Sequence, residues 1–419
     1  MDGRLGTGVC FGRLATTHLP MSTKIDSIPI AMGTINGGVS DAEAGFEILP
    51  EFEGFNQKDD VFRRSWWDER IRSKKAKLFY ETYREPLKTF RRADGFTQKD
   101  YAFRNAAWHV SDIFTEQKED QDRREGFSDA FTLQRDVSEN RQEVEDVEAA
   151  SAEIKQLSHV FGADLVGITA FDPRWVYKNK FSDMSGTERP SEIPEGMTSV
   201  IMTAQAMDYD LIRTVPSALS GAATGLGYSH DAMVVLSIAQ YIRNLGYNAV
   251  ASLNDTSLAI PMAIQAGLGE YGKNGLLITE KFGPRVRLGK VFTDMPLAHD
   301  RPVKFGVKEF CNQCNRCVKG CPVKAIRGGE PSAELFNQSN IKGVVKWSVD
   351  GEKCFKFWAA QNTDCSICIR VCPYNKDYSK WWHRVGIKLS GTPLRGAMLW
   401  LDKKMKYGDR MKPKLWWQG

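Results

Sequence analysis

What this chain of 419 residues lacks narrows its roles first. It has no uncharged apolar run of about 18 residues or more, which argues against a membrane-spanning helix. It has no strong charge of one sign. The 57 Lys and Arg against 52 Asp and Glu leave a net +5, which does not argue for nucleic acid but permits docking to an acidic protein. Twin arginines occur at Arg63-Arg64 and Arg91-Arg92, yet charged, Trp-rich sequence follows them and no apolar stretch does, so neither reads as an export signal. Internal repeats are missing. Cysteine is nearly absent outside one stretch: of nine, eight fall between Cys311 and Cys372, and Cys10 stands alone. Together these absences leave a soluble protein with a cytoplasmic location expected. For such a protein, clustered cysteines point to metal before disulfides.

The chain divides by pattern. Residues 1–21 are loose and Gly/Thr-rich, and they read as a disordered extension with Met21 as a possible internal start. Residues 22–144 form an arm dotted with aromatics and charges. Its stretch from Asp59 to Arg92 reads as helical and its Thr115–Asp129 stretch as a solvated loop or helix, and the whole arm is expected to wrap around the next domain. From 145 to 307 helix and strand patterns alternate. EDVEAASAEIKQLSHVFG spaces Val147, Ile154, Leu157 and Phe161 for a helix closed by Gly162, and DLVGITAFD and SVIMTAQAM read as strands. HDAMVVLSIAQYIRNLG is a long amphipathic helix, IPMAIQAGLG a shorter one, and NAVASL, LLITEKFG and RVRLGKVFTDMPL are strands. The predicted class is α/β (α+β). A cysteine module follows at 308–376, and a Trp- and Lys-rich tail at 377–419 is expected to pack on the core.

CNQCNRCVKGCP sets Cys311, Cys314, Cys317 and Cys321 before Pro322, the bacterial two-cluster spacing. Three thiolates on a tight loop face one [4Fe–4S] cluster, and the fourth reaches across to another. Treated alike, the second run gives cluster one as Cys311, Cys314, Cys317 and Cys372. Cluster two takes Cys321, Cys365, Cys368 and, by elimination, Cys354. Zinc also binds thiolate quartets, but zinc ribbons lack the third cysteine, the crossing fourth and the trailing proline. Cys354 precedes Cys365 by a stretched interval, CFKFWAAQNTDC. It reads as a loop beside cluster two, with Phe355, Phe357 and Trp358 packing toward a second cofactor.

AGLGEYGKNG carries Gly267, Gly269 and Gly272, then Lys273 and Asn274. It mimics a dinucleotide fingerprint, but a helix precedes it and a strand follows, the reverse of the order that motif needs. The reading preferred is a loop that lets backbone approach a flat cofactor, and a plain tight turn is the alternative.

The runs GYSHDAMVVLSIAQYIRNLGYNA and AIPMAIQAGLGEYGKNGLLITEKFGPRVRLGKVFTDMPL, the two cysteine motifs and the ending LWLDKKMKYGDRMKPKLWW resemble the cobalamin-dependent reductive dehalogenases. The resemblance covers about residues 145–419 and is weaker over DGFTQKDYAFRNAAW and REGFSD in the arm. It implies a nitroreductase-like, corrinoid-binding domain beside a bacterial two-[4Fe–4S] ferredoxin-like module, with cobalamin bound base-off and no protein ligand from His230. It implies reductive cleavage of a carbon–halogen bond in a small organohalide, of the aromatic class. By motif position Tyr228 becomes the proton donor and Lys290 its cationic partner, with Thr224 and Arg287 adding hydrogen bonds and Arg285 and Arg287 as alternatives to Lys290. The expected electron source is a separate soluble ferredoxin or flavodoxin, with no membrane anchor, and an oligomer is compatible with this reading.

Two other readings stand beside this one. Epoxyqueuosine reductases share the cobalamin-plus-two-cluster plan, but acting on tRNA calls for a broad basic face and an acidic proton donor, against +5 overall and Tyr228 here. A corrinoid-free electron-transfer protein would use the basic tail as its docking surface.

Overall fold

Four strands pair in the order Leu165–Ala170, Ser199–Ala206, Val286–Thr293 and Ala249–Ser252, every neighbour antiparallel. The structure is a computed structural model. It describes residues 38–84, 93–182, 185–191, 193–253 and 256–419. The expected extension at 1–21, with Cys10 and Met21, lies outside the described residues. So does part of the helical reading before Arg92. Residues 34–419 cluster as one unit, so the arm, the α/β region, the cysteine module and the tail share one body.

Alternation along the strands splits the core in two. Val200, Met202, Leu288 and Phe292 face one layer, which contains Met262 of the helix Ala259–Gln265. Ile168, Ile201 and Val291 face the other, built on the helices Val147–Val160 and Ala218–Asn244. LLIT is not in this sheet. Leu277–Ile278 instead pairs with Glu270–Tyr271 as a small hairpin. The short gap between these segments permits only a tight turn.

The helix Ala218–Asn244 starts well before its apolar pattern does. Ser217 caps it, its hydroxyl accepting from the Ser220 N–H. Tyr228 therefore lies within the helix and not ahead of it. The arm helix Gln98–Thr115, opened by a capping box of Thr97 and Asp100, packs along it. Close approach requires Gly225, where a Cβ would stand 2.5 Å from Trp108 Cδ1. From the tail, Trp416 and Trp417 lie 5.4 and 5.9 Å from the Phe103 ring, and Trp417 Nε1 donates to Asp100 Oδ1 at 2.8 Å.

The stretched interval is a helix and not a loop. Gly351–Gln361 is capped by Asp350, whose carboxylate accepts from Lys353 N–H. Phe355 and Trp358 project from it onto the arm, meeting Phe62 at 5.5 and 5.6 Å. The arm, in turn, is helical at Val61–Trp67 and Lys74–Arg84.

Candidate active site and cysteine centre

Short helices present the cysteines. Cys311 lies on Val307–Gln313 and Cys314 ends it; Cys317 lies on Arg316–Gly320 and Cys321 ends it. Cys354 is on Gly351–Gln361, Cys368 on Ile367–Arg370, and Cys365 and Cys372 flank the latter. All eight are free thiols. Among the described residues no three His, Cys, Asp or Glu side chains converge as a single-ion site; the fold instead makes two looser groups of sulfur.

Burial drives the thiol pKa values up, to about 12 for Cys311, Cys317, Cys354 and Cys365, and the neighbours that add to it reveal the grouping. Cys372, pushed well above the ordinary value by burial, faces Cys311, Cys314 and Cys317. Cys354 faces Cys365 and Cys321. Cys368, also raised first by burial, faces Cys365, Cys354, Cys317 and Cys321. Cys317 thus looks both ways, and it packs with the second group. Buried thiols of this kind lose their protons to a metal and not to water. The donor set fits two thiolate-bound iron–sulfur clusters.

A cavity of about 820 Å³ opens between the sheet and the cysteine module, a volume within the range of cofactor sites. Trp175, Tyr177, Leu258, Leu277 and Trp347 give it flat and apolar walls, and Arg287 reaches it from the strand. Tyr271 O–H donates to the Trp347 carbonyl at 3.0 Å, tying this wall to the core around Cys311, Cys314 and Cys372. Lys346 also lines it, and burial lowers its pKa to about 8. Aromatic walls with a few cationic donors fit a flat macrocycle bearing amide and phosphate groups.

The glycine-rich segment does not meet this cavity as expected. Gly267, Gly269, Gly272, Lys273 and Asn274 do not line it; their neighbours Glu270, Tyr271 and Gly275 do. The glycines serve backbone packing. A Cβ at Gly269 would run into the Ile278 carbonyl oxygen, and one at Gly267, where φ is +74°, would stand 2.6 Å from the Arg301 oxygen. These contacts fit the plain tight turn. Asn274 Oδ1 accepts from Leu276 N–H at 3.4 Å, and Lys273 turns to the cysteine module. Phe357 packs among the second cysteine group and Trp358 on the arm; neither lines the cavity.

Tyr228 lies behind Arg287. Arg287 Nη1 donates to the Tyr228 hydroxyl at 3.3 Å, with the guanidinium 5.4 Å from the ring centre. The alternation that puts Arg287, Gly289 and Val291 toward the long helix sets Lys290 with Leu288 and Phe292, and the Lys290 ammonium donates to the Leu253 carbonyl. Arg287 is thus one cation at the phenol, and the Lys290 charge also reaches this end of the helix through Asp231. Arg285 is bound elsewhere, to the Met207 and Lys376 carbonyls. Thr224 also departs from expectation: its hydroxyl donates to Asp364 Oδ2 at 2.9 Å, beside Cys365, and not to the phenol.

Sequence reasoning missed several residues here. Trp108 and Phe127 enclose the Tyr228 ring at 4.9 and 5.1 Å, both from the arm segments of weaker resemblance. Asp231, one turn beyond Tyr228, is fully buried, and desolvation raises its pKa to about 8 despite Arg287 and Lys290. Helical spacing from Tyr228 was the signal that would have found it.

Residues 310–375 match the 4Fe-4S double cluster binding domain family. The chain is 38% identical over 312 residues to a tetrachloroethene reductive dehalogenase of Desulfitobacterium hafniense, covering 64% of this chain and 56% of that protein. It is 33% identical over 294 residues to the one of Sulfurospirillum multivorans, covering 64% and 58%. An epoxyqueuosine reductase of Lactococcus garvieae matches at 35% over 141 residues, a third of this chain. The chain thus spans somewhat over half the length of the dehalogenases it matches. A solved catabolic reductive dehalogenase superposes with a TM-score of 0.69 at 23% identity, over 87% of this chain and 48% of that one, and shares its fold. A second reductive dehalogenase structure, described through B12-dependent dehalogenation, gives the same values.

Proposed function

We propose that this relative of the reductive dehalogenases is itself one: an oxidoreductase that replaces a carbon-bound halogen with hydrogen, using cobalamin and two [4Fe–4S] clusters. One observation carries the reading. The cavity is lined by Arg287, which donates to the Tyr228 hydroxyl, and by Tyr271 and Trp347, which pack with Cys311, Cys314 and Cys372, an arrangement that supports proton and electron delivery from its two sides.

The overall change is R–X + 2 e⁻ + H⁺ → R–H + X⁻. Cys311, Cys314, Cys317 and Cys372 hold cluster one; Cys321, Cys354, Cys365 and Cys368 hold cluster two. A corrinoid bound base-off in the cavity supplies low-valent cobalt able to cleave the carbon–halogen bond reductively. Tyr228 supplies the proton. A free phenol titrates near pH 10, a poor acid at neutral pH, and the Arg287 guanidinium stabilises the phenolate left behind. Trp108 and Phe127 pack on the ring and keep water from competing for that proton. Electrons come from a separate donor such as a ferredoxin or flavodoxin. Among the described residues no helix is long and apolar enough to cross a membrane.

The substrate class is a small organohalide. Tetrachloroethene, for which the relatives are named, and a halogenated phenol, for the aromatic class, are the two to assay. The protein is reconstituted anaerobically with hydroxocobalamin, iron and sulfide, and its paramagnetic spectra and halide release are recorded. Wild type should show a base-off Co(II) signal and release halide. Tyr228→Phe should keep the signal and lose about 10²-fold or more in turnover. A protein that takes up no corrinoid sinks the proposal, and undiminished halide release by the Phe variant removes Tyr228 from its role.

A further inference from the structure

Lys273 has no part in the chemistry above, yet its side chain is 1% exposed. Burying an ammonium is costly unless a counter-charge meets it. Among the described residues no carboxylate ion-pairs with it. Its neighbours are neutral: Asn315 Oδ1 at 3.3 Å, and the Trp347 ring with its centre 5.3 Å from Nζ. What faces it is sulfur. Its backbone N–H bonds to the Cys311 sulfur, and its charge acts on Cys311, Cys314 and Cys317. The missing counter-charge therefore corresponds to an anion held by those thiolates, and Trp347 puts the lysine on the cavity side of the group.

We infer that Lys273 is the buried counter-ion of cluster one and raises its reduction potential. This rests on the iron–sulfur reading. Each reduction adds one negative charge to a cluster, so a nearby cation in a dry site favours the reduced state. The bias makes cluster one a better acceptor than it would be without the lysine. No proton or bond change is involved; one electron leaves the donor as one enters cluster one.

The test is a potentiometric titration of the reconstituted holoprotein followed by electron paramagnetic resonance, with Cys354→Ser used to assign the two cluster signals. In Lys273→Met and Lys273→Gln, cluster one should reduce at a lower potential while cluster two stays in place, and Lys273→Arg should restore the wild-type value. If no cluster signals form in wild type, the iron–sulfur reading itself fails. If both clusters form and cluster one keeps its potential in the Gln variant, the counter-ion role is overturned while the iron–sulfur reading stands. Should the Met variant not assemble cluster one, the comparison of Gln with Arg decides: equal potentials refute the inference, and a lower potential in Gln alone upholds it.

Discussion

Replacing Asp231 with Asn isolates a buried carboxyl one helical turn from the proposed proton donor. In the folded protein Asp231 stays protonated to about pH 8, because burial outweighs Arg287, Lys290 and the Thr203 and Gln205 hydrogen bonds. Its Oδ2 has no hydrogen-bond partner, so little else relieves an ionised form. In the unfolded chain an ordinary aspartate ionises near 3.8. Between these values the folded state holds one proton more than the unfolded state, so this group's contribution to stability falls as pH rises through that window and is flat outside it. Each unit is worth about 1.4 kcal/mol, and the whole shift is on the order of 6 kcal/mol. Asn has the same shape and no proton to lose. Urea unfolding of the cluster-loaded protein, read by Trp fluorescence from pH 6 to 9, should show the Asn variant gaining on wild type. The gain is about 1.4 kcal/mol per unit up to pH 8, levelling off above it. A difference independent of pH would refute the reasoning, for it would mean that Asp231 is ionised throughout and already neutralises a cation. Turnover carries the same signature: ionisation above pH 8 offsets Arg287 and leaves the Tyr228 phenol a weaker acid, so wild-type rates should drop there and those of the Asn variant should not.

Other outcomes follow from single contacts. Arg287→Met should cost about 10²-fold in turnover, with Arg287→Lys partly recovering it; an unaffected rate would return the cationic role to Lys290. Thr224→Val removes a hydrogen bond to the Asp364 carboxylate and should cost about 1.5–3 kcal/mol, measured by the urea midpoint, with KM unchanged. A raised KM at unchanged stability would instead place Thr224 at the substrate. Cys354→Ser should cut iron content to about half with cluster two lost, and full iron content would exclude Cys354 as a ligand.

How far these residues could be read in advance depended on how local their signals are. Cysteine spacing is one-dimensional, since two or three intervening residues fix which thiols share a turn, and the grouping of Cys311, Cys314 and Cys372 agrees with it. The strands and the helix Val147–Val160 were legible from periodicity for the same reason. The choice between Arg287 and Lys290 was not. Alternation says that they part company but not which face the long helix covers, and that face is the one where Ile201 and Val291 pack. The glycines leave two readings, because backbone packed on backbone and backbone packed on a ligand ask for the same missing Cβ. The interval between Cys354 and Cys365 carried a signal that passed as a loop: Asp350 as a cap, then Phe355 and Ala359 one turn apart and both buried. Reading it as a helix changes its purpose. Through Phe355 and Trp358 it fastens the second cysteine group to Phe62 and Phe79 of the arm, and the same arm reaches Tyr228 through Trp108 and Phe127. Tyr83 binds the two ends together, its hydroxyl donating to Asp364 at 3.2 Å while its ring meets Trp108 at 5.6 Å. The arm, where no chemistry was legible, is the element that holds Tyr228, the proposed proton donor, in register with the cysteine module.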